Sequence, residues 1–118
     1  MDKTSYDALQ QRLKKFAVDR NWEQFHSPKN LAMALSGEAG ELIEHFQWLT
    51  QQQSYELDAE KKQEVALEMA DIFIYLFRLA ERLDINLVEK VYEKIEINEQ
   101  RYPVEKVQGS SKKYNEYE

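Results

Sequence analysis

Residues that interrupt helices are scarce in this sequence, since its 118 residues include only three glycines and two prolines. Folds made of many short strands need such residues at their tight turns. Hydrophobic residues make up 42% of the chain and charged residues 32%, a balance that suits amphipathic helices. The sequence therefore predicts an all-α fold, and its length allows a single domain.

Cysteine content and charge exclude several classes of protein. The absence of cysteine rules out disulfide frameworks, zinc–thiolate sites and cysteine nucleophiles. With 22 acidic and 16 basic residues the net charge is −6, which argues against a broad nucleic-acid surface. No apolar run approaches the length of a membrane span, and no apolar leader follows Met1. We expect a cytoplasmic protein that binds neither nucleic acid nor membranes.

The spacing of apolar and capping residues predicts four helices, the content of a four-helix bundle subunit. The first begins near Tyr6 and ends before a loop at residues 21–27. The others cover about residues 28–49, 58–83 and 86–102, with caps at Ser27 and Asn86. Residues 1–103 form the predicted domain, and residues 104–118 form a short irregular tail.

Two of these helices each carry a pair of acidic residues, Glu38 with Glu41 and Glu68 with Asp71. At 100° per residue, Glu38 and Glu68 lie in the middle of the apolar stripes, and their partners lie about 60° to one side. Inward carboxylates cost several kcal/mol each unless their charge is compensated. No lysine or arginine shares the middle of either stripe. The pattern therefore predicts a bound cation.

The ligands available to that cation are oxygens only, which favours Mg²⁺, with Mn²⁺ as a substitute. Exposed acids on a solvated face are the alternative for one pair, but two central pairs on neighbouring helices argue against it. A di-iron bundle would need Glu-x-x-His on two helices. Here the residue three positions after Glu41 is Glu44, and His45 comes one position too late for this motif. The sequence therefore argues against a di-iron bundle.

The segment Ile72–Phe77 is apolar on every side of its helix. Such a helix must be covered on both sides, which four helices can hardly achieve. The segment therefore predicts a subunit interface, with a buried core as the alternative. The sequence contains three further aromatic residues of interest, Trp22, Phe25 and Trp48. Each is as well suited to packing in a core as to stacking on a planar base.

The two acidic motifs are Glu38-Ala39-Gly40-Glu41, within LSGEAGELIEHFQW, and Glu68-Met69-Ala70-Asp71, within LEMADIFIYL. Together they resemble the ExxE and ExxD signature of the MazG-like, all-α nucleoside triphosphate pyrophosphohydrolases. The similarity continues through RNWEQFHSPKNL and KIEINEQRYPVEKVQGSSKKY, so it covers nearly the whole chain. The wider pattern is most similar to the dCTP pyrophosphatase branch.

The resemblance implies hydrolysis of a deoxynucleoside triphosphate between its α- and β-phosphates, with dCTP or 5-modified dCTP favoured, as part of nucleotide-pool sanitation. It implies four magnesium ligands: Glu38, Glu41, Glu68 and Asp71. One of these acids would also take the proton of the attacking water. We name Glu41 as that residue, although the sequence itself favours none of the four.

The resemblance also implies which residues surround the substrate. Those expected to enclose the base and sugar are Trp22, His26, Trp48 and Tyr75. Those expected near the phosphates are Lys94, Asn98 and Tyr102, which lie on or beside one face of the fourth helix. The family further implies a dimer or a dimer of dimers, in which helices of different subunits complete each site.

Two other functions remain open at this point. The chain is alternatively a house-cleaning pyrophosphohydrolase of broad specificity, acting on dUTP, purine or damaged triphosphates. A non-catalytic helical oligomerisation or adaptor module is the second alternative, and it predicts no binding of divalent metal ions.

Overall fold

The computed structural model describes residues 5–107, and every regular element among them is helical. The longer elements are α1 (Tyr6–Asp19), α2 (Pro28–Glu44), α4 (Ala59–Arg82) and α5 (Leu87–Arg101). Single helical turns form α3 (Gln51–Ser54), α6 (Val104–Val107) and a 3₁₀ turn (Glu23–Phe25). The all-α prediction is confirmed. The chain divides after Asp84 into two units, and each is described by itself.

The helices begin at the residues whose side chains cap them. Ser5, Ser27, Asp58 and Asn86 each have an extended backbone, and each side chain accepts a hydrogen bond from the amide three residues later. These bonds satisfy amides that have no partner within the helix. The predicted starts near Tyr6, Pro28, Asp58 and Asn86 are therefore confirmed.

The end of α2 differs from the prediction, because the helix stops at Glu44 rather than near Leu49. Thr50 has an extended backbone and caps α3. Its Oγ1 accepts from the Gln53 amide at 3.1 Å, while the Gln53 side chain accepts from the Thr50 amide at 2.9 Å. This capping box starts a new helical turn within the predicted polar connection, and residues 45–49 form the turns that lead into it.

The chain turns sharply where α1 ends. Asn21 has a left-handed backbone with φ of 55°, which asparagine tolerates better than most residues. The Trp22 amide donates to the Ala17 carbonyl at 2.9 Å, and the Asn21 amide donates to the Val18 carbonyl at 3.0 Å. This pattern satisfies the last carbonyls of α1 and places Trp22 directly after the helix.

In the first unit, α1 and α2 both pack against α4. The buried apolar residues of the described chain are few: Ala17, Leu31, Val65, Phe77 and Ala80. The Phe77 ring contacts Tyr6 and Phe73, with centroid distances of 4.7 and 5.6 Å. Phe73 itself keeps 48% of its surface exposed. The predicted apolar segment of α4 is therefore only partly covered by its own chain.

The second unit contains α5 and α6. The Asn86 side chain accepts from the Glu89 amide at 3.1 Å, and an exposed ion pair joins Lys90 to Glu93 at 2.7 Å. The predicted tail begins with the helical turn of α6, and its residues 108–118 lie outside the described part. Among the described residues, no helix has the length and apolar character needed to cross a membrane.

Candidate active site

Three of the four predicted metal-binding acids meet where α2 packs against α4. Glu38 and Glu41 come from α2 and Glu68 from α4, and one carboxylate oxygen of each lies within 4.8 Å of the others. Glu38 and Glu68 are half-buried, whereas Glu41 is exposed. The three-residue spacing on α2 puts its two acids on neighbouring parts of one face, as the sequence predicted.

Glu38 is the most constrained member of this acidic cluster, which comprises Glu38, Glu41 and Glu68. Its Oε2 atom is enclosed and has no hydrogen-bond partner among the described residues. The neighbouring carboxyl group of Glu68 raises the pKa of Glu38, burial and the charge of Asp71 act in the same direction, and Glu41 acts in the opposite one. No lysine, arginine or histidine among the described residues forms an ion pair with these acids.

The cluster fits a hard divalent cation. Its donors are carboxylate oxygens only, which Mg²⁺ and Mn²⁺ prefer. The unpartnered Glu38 oxygen is a buried acceptor that a cation would satisfy. Asp71 lies one turn beyond Glu68 on α4, is exposed, and is close enough for its charge to affect Glu38.

A pocket of about 210 Å³ opens beside Asp71. Sites for drug-sized ligands usually enclose roughly 300–1,000 Å³, so this pocket suits one part of a nucleotide rather than the whole. Its α4 wall repeats at helical spacing, with Asp71, Ile74, Tyr75 and Arg78 on one face. The remaining lining residues are Leu13, Phe16, Trp22 and His26.

The aromatic wall of the pocket depends on the chain after α1. Trp22 lies edge-on against Phe16, with ring centroids 5.6 Å apart, and its centroid is 6.2 Å from that of His26. The Asn30 side chain donates to the Phe25 carbonyl at 3.0 Å, which fixes the end of the 3₁₀ turn against the start of α2. Trp22 retains 42% of its surface exposed, so a planar group has access to it.

Arg78 is the buried charged residue of this pocket. Its side chain is only 2% exposed and pairs with Glu23 of the 3₁₀ turn and with Glu81 of α4. Arg82 adds a second ion pair to Glu23 at 2.7 Å. Although partial burial opposes the change, the hydrogen bond and charge of Arg78 lower the pKa of Glu23. Burial, followed by the charge of Arg78, lowers the pKa of His26.

The predicted site residues fall into four groups in the structure. Glu38, Glu41 and Glu68 form the acidic cluster, and the pocket brings together Asp71, Trp22, His26 and Tyr75. Trp48 follows α2, keeps 86% of its surface exposed, and does not line that pocket. Lys94, Asn98 and Tyr102 belong to the second unit, where the Tyr102 amide donates to the Asn98 carbonyl at 2.8 Å. Their predicted roles stay predictions.

Sequence reasoning missed Glu23 and Arg78. The available signal was Arg78 itself, a charged residue that follows the apolar segment Ile72–Phe77 on a helix predicted to be covered. A covered arginine requires a carboxylate partner. The partner lies 55 residues earlier in the chain, and helical spacing alone gives no reason to choose it.

Comparisons with known proteins agree with this geometry. The model of the MazG-like family matches residues 33–117. The chain is 45% identical over 103 residues to dCTP pyrophosphatase 1 of Rattus norvegicus and of Homo sapiens, covering 86% of this chain and 61% of each relative. It thus spans less than two thirds of the length of these relatives. A pyrophosphatase from Archaeoglobus fulgidus is 41% identical, with a TM-score of 0.79, over 82% of this chain and 91% of that one.

Proposed function

Because this chain belongs to the MazG-like family, we propose that it hydrolyses a deoxynucleoside triphosphate to the monophosphate and pyrophosphate. We propose dCTP, or dCTP modified at carbon 5, as the preferred substrate and Mg²⁺ as the cofactor. The name of the mammalian relatives supports the choice of dCTP. Such an activity would remove unwanted nucleotides from the pool that feeds DNA synthesis.

The observation that carries this proposal is the relation of the acidic cluster to the pocket along α4. Glu68 contributes to the cluster, and Asp71, one turn later, lines the pocket that also contains Tyr75. One continuous helix thus supports a site suited to cation and phosphate and a site suited to a planar base. A nucleoside triphosphate contains both of these groups, because its sugar joins the triphosphate to a planar base.

Glu38, Glu41, Glu68 and Asp71 are the residues that would hold Mg²⁺. A divalent cation bound there supplies positive charge to the triphosphate oxygens and lowers the pKa of water. The exposed Glu41 carboxylate is accessible to the attacking water and is our choice for the group that takes its proton. In this reaction the water oxygen bonds to the α-phosphorus, the bond to the bridging oxygen breaks, and pyrophosphate leaves.

The pocket would hold the base and the sugar. Trp22 offers a ring face to a base, and His26 and Tyr75 offer polar atoms to its edge or to the sugar. Binding of the base in this pocket would fix the position of the triphosphate relative to the acidic cluster. We propose that the exposed Trp48 helps to enclose the nucleotide and that Lys94, Asn98 and Tyr102 contact its phosphates.

We further propose that the protein is a homo-oligomer, either a dimer or a dimer of dimers. Large apolar residues of α2 and α4 support this proposal, because they remain about half exposed or more in the single chain: Met33, Ile43, Leu67, Met69 and Phe73. Several large apolar side chains left exposed on two neighbouring helices are typical of protein interfaces. The proposed substrate belongs to the cytoplasm, where we expect the protein to act.

A pyrophosphohydrolase of broader specificity is the second candidate. The small pocket favours it over an adaptor, because the pocket suits stacking on any planar base. An adaptor that binds no metal would leave the enclosed Glu38 oxygen without a partner.

The test is a hydrolysis panel of all canonical dNTPs, all NTPs and 5-methyl-dCTP with Mg²⁺, with products resolved by chromatography. We expect dCMP and pyrophosphate from dCTP, and faster turnover of dCTP-type substrates than of the others. Pyrophosphate release without that preference would favour the broad-specificity enzyme. Absence of hydrolysis with Mg²⁺ and with Mn²⁺ would contradict the proposal and favour the adaptor.

A further inference from the structure

Arg78 has no role in the reaction proposed above, yet it is one of the two largest fully buried side chains among the described residues. It lines the pocket on the same face of α4 as Tyr75 and Asp71. A buried guanidinium is expensive to desolvate, and replacing such an ion pair by apolar residues often stabilises a protein. Its presence in the wall of a binding pocket therefore requires a reason other than stability.

Two of the contacts of Arg78 lead to one wall of the pocket, the segment that holds Trp22 and His26. Its Nη2 atom pairs with Glu23 in the 3₁₀ turn, and Trp22 and His26 flank that turn. The same Nη2 lies 3.5 Å from Nδ1 of His26. Its Nη1 atom pairs with Glu81 of α4, which anchors the guanidinium to its own helix. Arg78 thus ties the Trp22–His26 segment to α4.

The contact with His26 constrains where the imidazole carries its proton. Arginine is a donor only, so a hydrogen on Nδ1 would point at another hydrogen. The 3.5 Å contact therefore favours an Nδ1 that presents its lone pair to the guanidinium, which leaves the single proton of the neutral ring on Nε2. The lowered pKa of His26 agrees with this arrangement, since burial and the charge of Arg78 both disfavour the imidazolium.

We propose that Arg78 is a positioning residue for base recognition, which fixes the Trp22–His26 wall through Glu23 and holds His26 as the Nε2–H tautomer. The pocket then offers the base a neutral hydrogen-bond donor, and it selects a base that presents an acceptor, such as the O2 or N3 atom of cytosine. This assignment rests on the proposed nucleotide site for its substrate. The tautomer is a property of the protein alone.

The first test therefore needs no activity. The chain has two histidines, so ¹⁵N NMR spectra of the ring nitrogens are assigned with a His26→Asn variant. We expect His26 to be neutral near pH 7, with its proton on Nε2. A proton on Nδ1, or an imidazolium at that pH, would overturn the proposal even if the protein proves to be an active pyrophosphohydrolase.

The second test compares Arg78→Met with the control Lys61→Met. Lys61, like Arg78, is a cation on α4 that forms an ion pair with a glutamate three residues later. The charged groups near His26 are Glu23 in its own turn and Arg78 and Arg82 on α4. Loss of Arg78 leaves the Glu23 carboxylate to favour the imidazolium. We expect the pKa of His26 to rise in Arg78→Met and to stay unchanged in Lys61→Met.

Binding and kinetics complete the comparison. We expect Arg78→Met to weaken dCMP binding, followed by tryptophan fluorescence, by roughly 10- to 100-fold, the usual effect of losing a hydrogen bond that involves a charged group. KM for dCTP should rise with kcat changed much less. If Arg78→Met does not fold, Arg78→Lys serves in the binding and kinetic measurements, because it keeps the charge but has a single nitrogen for the contacts with Glu23, Glu81 and His26. Lower stability with unchanged dCMP affinity and unchanged His26 titration would show a purely structural role and refute the proposal.

Discussion

Glu38 on α2 and Glu68 on α4 bring carboxylate oxygens within 4.8 Å of each other, and the closeness of Glu68 raises the pKa of Glu38. Two carboxyl groups this close repel each other when both are ionised, so the pair is favoured while one of them keeps a proton. A divalent cation offers the alternative to that proton, because it satisfies both oxygens while both groups are ionised. The Glu38–Glu68 pair between α2 and α4 is thus expected in one of two forms, with a proton on one carboxyl group or with a bound metal ion.

Mg²⁺ is therefore expected to stabilise the fold, by about 2.7 kcal/mol at a hundredfold excess over its Kd. Replacement of Glu38 by glutamine should abolish this gain and hydrolysis but leave the protein folded, because it removes a charge that has no cation partner. Thermal unfolding with and without Mg²⁺ measures the effect. Glu44→Gln, an exposed change on the same helix, is the control and should keep both properties. Melting curves indifferent to Mg²⁺ would count against the metal site.

Trp22→Ala is expected to raise KM for dCTP by roughly 5- to 100-fold, because stacking of a base on an aromatic ring contributes about 1–3 kcal/mol. Steady-state kinetics with dCTP checks this, and kcat should change much less than KM. Phe25→Ala is the matched control, since Phe25 lies in the adjacent 3₁₀ turn, is 60% exposed, and does not line the pocket. Equal effects of the two substitutions would show that the pocket does not hold the base.

The ion pair between Glu23 and Arg78 should make stability depend on pH. Because the pKa of Glu23 is lowered in the folded protein, its stabilising contribution is complete above the ordinary value of 4.5. It is lost as pH falls below that value through the folded pKa, because protonation then removes the charge that Arg78 requires. Urea unfolding between pH 6 and pH 3 should show a steeper loss in the wild type than in Glu23→Gln. Parallel curves would mean that the pair contributes nothing measurable.

Phe73→Asp should dissociate the proposed oligomer, because it places a charge at a half-exposed aromatic position of α4. Sedimentation velocity is the direct measurement: we expect a dimer or tetramer for the wild type and a smaller species for the variant. Gln63→Asp, at an exposed polar position of the same helix, should leave the mass unchanged. A monomeric wild type would refute the proposed assembly.

Features that depend on nearby residues were predictable from the sequence. Ser27 and Asn86 cap their helices through hydrogen bonds that span three residues, so both helix starts were visible in the chain. The meeting of Glu38 with Glu68 was also predictable, because each lies in the middle of a stripe that must be buried. An acidic side chain in such a stripe points toward the helix that covers the stripe.

Two features of the structure were not predictable, the pairing of Arg78 with Glu23 and the end of α2. Arg78 and Glu23 pair across 55 residues, and only the packing of the 3₁₀ turn on α4 brings them together. The end of α2 was missed for a local but subtle reason. The apolar spacing of Phe46 and Leu49 continues the helix, whereas the capping box of Thr50 and Gln53 ends it, and the hydrogen bonds prevail over the spacing.

The α4 residues that line the pocket belong to one uninterrupted helix, so the number of residues between them decides whether they share a face. Asp71 and Arg78 are seven residues apart, which is about two turns and about 10 Å along the axis. An inserted or deleted residue between them would rotate everything beyond it by about 100° and turn Arg78 away from the face that holds Asp71. Substitutions in this segment leave that register intact. During divergence of the sequence, we therefore expect the length of the segment between positions 71 and 78 to stay constant even where residues that do not line the pocket vary.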